Sequence, residues 1–222
     1  MATYVLIHGA GDGGWYWHLV DAELRGRGHD VVAPDLPADD EASGLPAYAD
    51  VVLDAIGDRT ELVVVAQSFG GFTAPLVSDR VPTELLVLVA GMIPSPGEPP
   101  DDWWANTGYE REGREQDDDV IATFYHDVPP ELASEAQRRE RAHPSARAMR
   151  EPWPLETWPD IPTRFLLCRD DRFFSPGFLR RIARERLGIT PDEIDGGHCV
   201  ALSRPSELAD RLDAYLHPRT PR

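Results

Sequence analysis

The run ELVVVAQ (61–67) is almost wholly apolar and rich in β-branched residues, and it does not stand alone. YVLIH (4–8), DVVAPD (30–35), ELLVLVAGM (84–92), TRFLLC (163–168) and a short stretch near DEID (192–195) have the same character. Between them lie helix-like segments at 15–28, 45–58, 70–81, 176–188 and 205–216. Strands that are apolar on both faces must be covered on both faces, and strands joined by crossover helices run parallel. The pattern predicts an α/β fold: a mostly parallel central sheet flanked by helices. A chain of 222 residues buries enough surface for one such core.

The alternation stops at Ile93 and resumes after about Asp160. The intervening segment is rich in proline, charge and tryptophan, with helical patterning at 118–127 and 130–143. It is too long for a plain loop. A single domain over residues 1–222 is expected, with a core of 1–92 and 161–222 and a mostly helical insertion at about 93–160. Ligands of open α/β sheets bind beyond the carboxyl ends of the strands, where insertions also gather, so the insertion is a lid candidate. The tail, 217–222, is expected to fray.

The charge balance removes several functions. With 39 acidic and 22 basic residues the net charge is −17, which repels nucleic acid and anionic membranes. All the basic residues are arginine, so a lysine Schiff base, a lysine general base and a P-loop lysine are all excluded. No apolar run reaches 18 residues and MATYVLIHG lacks the pattern of a signal peptide, so a cytoplasmic protein is expected. Cys168 and Cys199 fit neither a disulfide scaffold nor a zinc spacing, and no metal or cofactor is expected.

Four features carry chemistry. In VVVAQSFGG (63–71), Ser68 sits where a buried strand turns into a helix opened by Gly70 and Gly71. Such a turn strains the backbone, projects the serine oxygen above the sheet and needs small residues on either side; Ala66 and Gly70 meet that need. HGAGDGGWYW (8–17) follows the first strand with glycines able to turn an N–H toward an oxyanion. A dinucleotide loop is the rival, but the glycines fall at 9, 11, 13 and 14, off the G-x-G-x-x-G spacing, and Asp35 lies between two prolines. Of seven histidines, His198 in DGGHCV alone follows both a late strand and a Gly pair. Asp170 and Asp171 follow TRFLLC, and chemistry alone leaves the choice of acid between them open. Cys199 is next to His198, and in an extended chain their side chains would point opposite ways.

Together these residues resemble the α/β-hydrolase family over nearly the whole chain. HGAGDGGWYW, GHDVVAPDLPADD and VAGMIPSPGE are similar to the branch that holds plant methylesterases, hydroxynitrile lyases and small bacterial esterases. The resemblance implies an α/β-hydrolase fold and a triad of Ser68, His198 and Asp171, the acid following from C-x-x-D counted from Cys168. It also implies an oxyanion hole from the backbone N–H groups of Ala10 and Phe69. Gln67 replaces the histidine common before the nucleophile, and Cys199 stands where the lyases carry lysine, which argues against cyanohydrin cleavage. A serine nucleophile argues against epoxide and haloalkane hydrolysis, which use an aspartate in this family.

The expected function is hydrolysis of a small carboxylic ester with an apolar portion, without nucleic-acid or membrane partners. Four tryptophans in the insertion, at 103, 104, 153 and 158, fit an aromatic cover. Trp15, Met92, His126 and Trp153 are candidate substrate contacts, with a plain solvated helix residue the rival role for His126. Two other readings keep the same residues: a triad enzyme acting on a C–C bond or thioester, and a non-catalytic receptor with a hydrolase-like pocket.

Overall fold

The computed structural model describes residues 1–109 and 119–216. The first position of the helical pattern at 118–127 and the whole of the tail lie outside these residues.

Six strands form one parallel sheet: β1 (Thr3–Ile7), β2 (Asp30–Val32), β3 (Leu62–Gln67), β4 (Thr83–Val89), β5 (Thr163–Cys168) and β6 (Asp192–Ile194). Their order across the sheet is β2-β1-β3-β4-β5-β6. β1 and β3 are buried along their whole length, as uninterrupted apolar runs covered on both faces must be. The helices α1 (His18–Gly26), α2 (Leu45–Ile56), α3 (Ala74–Ser78), α8 (Pro176–Leu187) and α10 (Pro205–Leu216) cross between or follow the strands. Helix α1 packs with α10, and α2 with α3. α8 starts on a side-chain cap, Ser175 Oγ accepting the Phe178 N–H at 3.2 Å, and ends on Gly188 at φ 68°, a conformation that favours glycine.

The chain enters at β1, runs out to the edge at β2, and returns past β1 to β3. Between β1 and β3 the connections depart in opposite directions, leaving a crevice at the carboxyl ends of those two strands. Pairing of Ile7 with Ala66 sets His8 and the Gly-rich loop beside Gln67 and Ser68. Pairing of Cys168 with Ile194 does the same for Asp171 and His198, each a few residues beyond a paired strand end.

Several elements differ from the sequence expectation. The helices expected at 15–28 and 70–81 both open as 3₁₀ turns, Gly14–Trp17 and Ser68–Phe72, before becoming α-helical. Gly70 and Gly71 disfavour a full α-turn there. β2 ends at Val32, because Pro34 cannot donate to a ladder. Among the described residues the segment 93–160 holds four short helices, α4 (Pro100–Asn106), α5 (Val120–Phe124), α6 (Pro130–Arg138) and α7 (Ala146–Arg150). α4 and α7, of seven and five residues, are too short to show a period. α6 stops before 143 because the chain peels away, the Arg141 N–H donating to the Gly11 carbonyl at 2.8 Å. A further four-residue helix, α9 (Val200–Ser203), follows His198 directly.

Buried bonds stitch the segment onto the core and tie it to itself. Trp153 Nε1 donates to the Phe72 carbonyl at 3.0 Å, and Trp103 Nε1 to that of Ile93 at 2.9 Å. Buried Glu98 forms an ion pair with Arg186 of α8, its Oε1 accepting from Nη2 at 2.8 Å. Glu98 Oε1 also accepts from Asn106 at 2.9 Å.

Candidate active site

Ser68 follows β3 with φ 49°, in the left-handed region that a residue with a side chain occupies at a cost of ~1–2 kcal/mol. The surrounding contacts hold it there. Its carbonyl accepts the Met92 N–H at 2.9 Å. A Cβ on Gly70 would lie 2.8 Å from the His8 carbonyl oxygen, and one on Gly71 would collide with the Met92 carbonyl. Ala66 is fully buried at the matching position on the strand side, where its single methyl is accommodated. Gln67 Nε2 donates to the His198 carbonyl at 3.3 Å, a direct tie between the end of β3 and the histidine loop. The residue left unexplained by the sequence thus bridges two of the chemistry-bearing segments.

The loops after β5 and β6 bring a carboxylate to an imidazole. His198 Nδ1 donates to Asp171 Oδ2 at 2.8 Å, and both side chains are buried. Asp171 Oδ1 accepts the N–H groups of Phe173 at 2.8 Å and Phe174 at 2.9 Å, which orients the carboxylate. A carboxylate only accepts, so the imidazole proton sits on Nδ1 and Nε2 keeps a lone pair. The rings of Phe124, Phe173 and Phe174 surround the imidazole edge-on, with centroids 5.5, 5.2 and 5.5 Å away. Asp170 faces elsewhere: its Oδ2 accepts the Gly196 N–H at 3.1 Å and so braces the two loops against each other.

The Gly-rich loop after β1 is held by His8. Burial lowers the pKa of His8, and the neutral ring serves both its neighbours, Nδ1 bonding the Gly9 carbonyl at 2.8 Å and Nε2 accepting the Leu36 N–H at 3.1 Å. Ala10 and Phe69 flank Ser68 on the wall of a cavity of about 460 Å³, which His198 also lines. Phe69 lies in the first turn of its 3₁₀ helix, where an N–H has no intrahelical acceptor. Trp104, Phe124, Tyr125, Met149 and Phe173 make much of the remaining wall apolar, three of the five from α4, α5 and α7.

Of the four candidate substrate contacts, Met92 lines the cavity and the other three do not. Trp15 stacks on His18 with Arg139 over its ring, and His126 Nε2 bonds the Asp170 carbonyl at 3.0 Å. Trp153 is buried beneath the segment, packing it onto the core. Cys199 also departs from expectation. The chain turns into α9 instead of running extended, so Cys199 shares the cavity wall with His198. Burial raises its pKa, leaving a neutral thiol where a lyase of this fold carries a cation. Asp12 and Glu140, not among the sequence candidates, also line the cavity; the position of Asp12 inside the Gly-rich loop was the available signal. Among the described residues no three His, Cys, Asp or Glu side chains group as a metal site.

Comparison with known proteins bears on the family and the fold. A model of the Alpha/beta hydrolase family matches residues 4–211. The chain is 24% identical to norfluorocurarine synthase 1 of Strychnos sp over 94% of its own length and 93% of that protein's. It is 34% identical to methylesterase 7 of Arabidopsis thaliana over 44% of its length and 42% of the relative's. The crystal structure of polyneuridine aldehyde esterase superposes with a TM-score of 0.83 at 19% identity, covering 97% of this chain and 99% of that one. At that identity the likeness speaks for the fold.

Proposed function

The chain belongs to the α/β-hydrolase family, and on that premise we propose that it is a serine esterase acting through Ser68, His198 and Asp171. The observation that carries the reading is the buried His198–Asp171 hydrogen bond of 2.8 Å facing the same cavity as a strained Ser68. His198 Nε2 takes the proton of Ser68 Oγ as it attacks the ester carbonyl. The Ala10 and Phe69 N–H groups receive the oxyanion, in a cavity whose apolar walls strengthen such bonds. Collapse of the tetrahedral intermediate breaks the C–O bond, and His198 hands its proton to the departing alcohol. Water, deprotonated by His198, then releases the acid from Ser68. The segment 93–160 acts as the lid, roofing the substrate's apolar part with Trp104 and Phe124.

A fluorophosphonate probe tests this directly. The adduct is expected on Ser68 in the folded protein, with no labelling of Ser68→Ala; an unlabelled native protein would overturn the proposal. A second reading keeps the triad but transforms a C–C bond or thioester, and a relative whose name describes a synthase favours keeping it in view. Absence of turnover across short- and medium-chain p-nitrophenyl esters, with Ser68 still labelled, would select it.

A further inference from the structure

One polar group on the cavity wall has no part in the proposed reaction. Asp12 lies in the Gly-rich loop two residues beyond Ala10, on the cavity wall that Ser68, Tyr125, His198 and Cys199 also line. Asp12 is half-buried, and among the described residues its side chain has no hydrogen bond and no ion pair. Neighbouring cations are held elsewhere: Arg141 by Asp35 at 2.8 Å, and Arg139 by Glu135 at 2.9 Å. Among the described residues no arginine lines the cavity.

The rest of the wall has a matching character. Glu140 adds negative charge at the exposed mouth, 3.7 Å from His143. Trp104, Phe124, Tyr125 and Phe173 present aromatic rings to the same space. A carboxylate together with aromatic faces is the chemistry that recognises an ammonium group, and the net charge of −17 draws cations toward it. An anionic substrate would meet Asp12 and Glu140, and among the described residues the wall offers it no arginine.

We propose that the cavity selects esters bearing a protonated or quaternary amine, with Asp12 as the specificity-determining counter-ion. The proposal deepens the esterase reading and rests on it for the position of the ester at Ser68. Burial pushes the Asp12 carboxyl up to about 7, against the pull of His198, so a cationic ligand supplies the partner that the protein withholds.

The test uses two aryl acetates of nearly equal shape, 3-(trimethylammonio)phenyl acetate and 3-tert-butylphenyl acetate, together with their parent phenols. By calorimetry the native protein should bind the cationic phenol at least ~10-fold more tightly than the tert-butyl phenol, a ratio worth ~1.4 kcal/mol. The ratio of kcat/KM for the two acetates should fall ~10-fold or more in Asp12→Asn and persist in Asp12→Glu. Comparing ratios between variants cancels the different reactivity of the two leaving groups. Equal binding of the two phenols by the native protein would overturn the proposal, as would an unchanged ratio in a folded Asp12→Asn. Cation-selective binding with neither acetate turned over and Ser68 unlabelled would refute the esterase reading instead.

Discussion

Replacing Asp171 by asparagine separates orientation from charge in the candidate triad. Among the described residues the native carboxylate accepts two backbone N–H groups on Oδ1, from Phe173 and Phe174, and His198 Nδ1 on Oδ2. Asparagine has one oxygen. Keeping it on the two N–H groups preserves two bonds and turns the NH₂ toward the imidazole. The imidazole must then accept at Nδ1 and carry its proton on Nε2, the wrong tautomer for taking a proton from Ser68. Loss of the correct tautomer costs about 10,000-fold in kcat in enzymes of this logic, or ~5 kcal/mol of barrier. Since each bond finds a replacement, the fold should lose at most ~1 kcal/mol, the net worth of one ordinary hydrogen bond. Asp170→Asn can still accept the Gly196 N–H through its amide oxygen, so its kcat should stay within about 10-fold, equivalent to ~1.4 kcal/mol. Turnover of p-nitrophenyl acetate and urea denaturation of both variants supply the readings. A larger loss of kcat in Asp170→Asn than in Asp171→Asn would refute the reasoning.

Two further perturbations probe how the segment 93–160 is fastened. Arg186→Met should cost ~3–5 kcal/mol at neutral pH in urea denaturation, because it strands the buried Glu98 carboxylate. Burial alone would raise the pKa of Glu98, but Arg186 and Asn106 outweigh it and hold the value below the usual carboxylate range. A carboxyl whose pKa is depressed on folding lends stability above its unfolded pKa and loses it as pH falls through the folded pKa, so the cost of the substitution should shrink in acid; a pH-independent cost would contradict this. Gly197→Ala would set a Cβ 2.7 Å from both Asp127 Oδ1 and His126 Nε2, displacing the Asp127 bond to the Gly197 N–H next to His198. It should cost ~1–3 kcal/mol and lower kcat, while Gly26→Ala, which meets nothing within 4 Å, should be neutral or slightly stabilising in the same melts.

Local chemistry explains which parts were readable in advance. Strands such as LVVVA announce themselves because burial on both faces demands an unbroken apolar run, and a serine between such a run and a Gly pair marks the elbow. The helices α4 and α7 left no period to read. Trp153 looked like a pocket residue by composition, yet its indole N–H is consumed by the Phe72 carbonyl inside the core. Gln67 was unreadable for a different reason. Its partner is the backbone of His198, 131 positions away, and backbone atoms carry no residue-type signal.

The amino-acid sequence by itself determined the parallel α/β architecture, the strained turn at Ser68 and the candidacy of His198, because periodicity, small-residue spacing and the order of motifs are local properties of the chain. Tertiary structure decided between Asp170 and Asp171 as the partner of that histidine, put Cys199 on the cavity wall, and left Asp12 there without a partner. Those outcomes depend on which groups meet across paired strand ends and on which stay unbonded on the cavity wall. Hydrogen bonds between distant loops set them, and spacing along the chain does not encode such bonds.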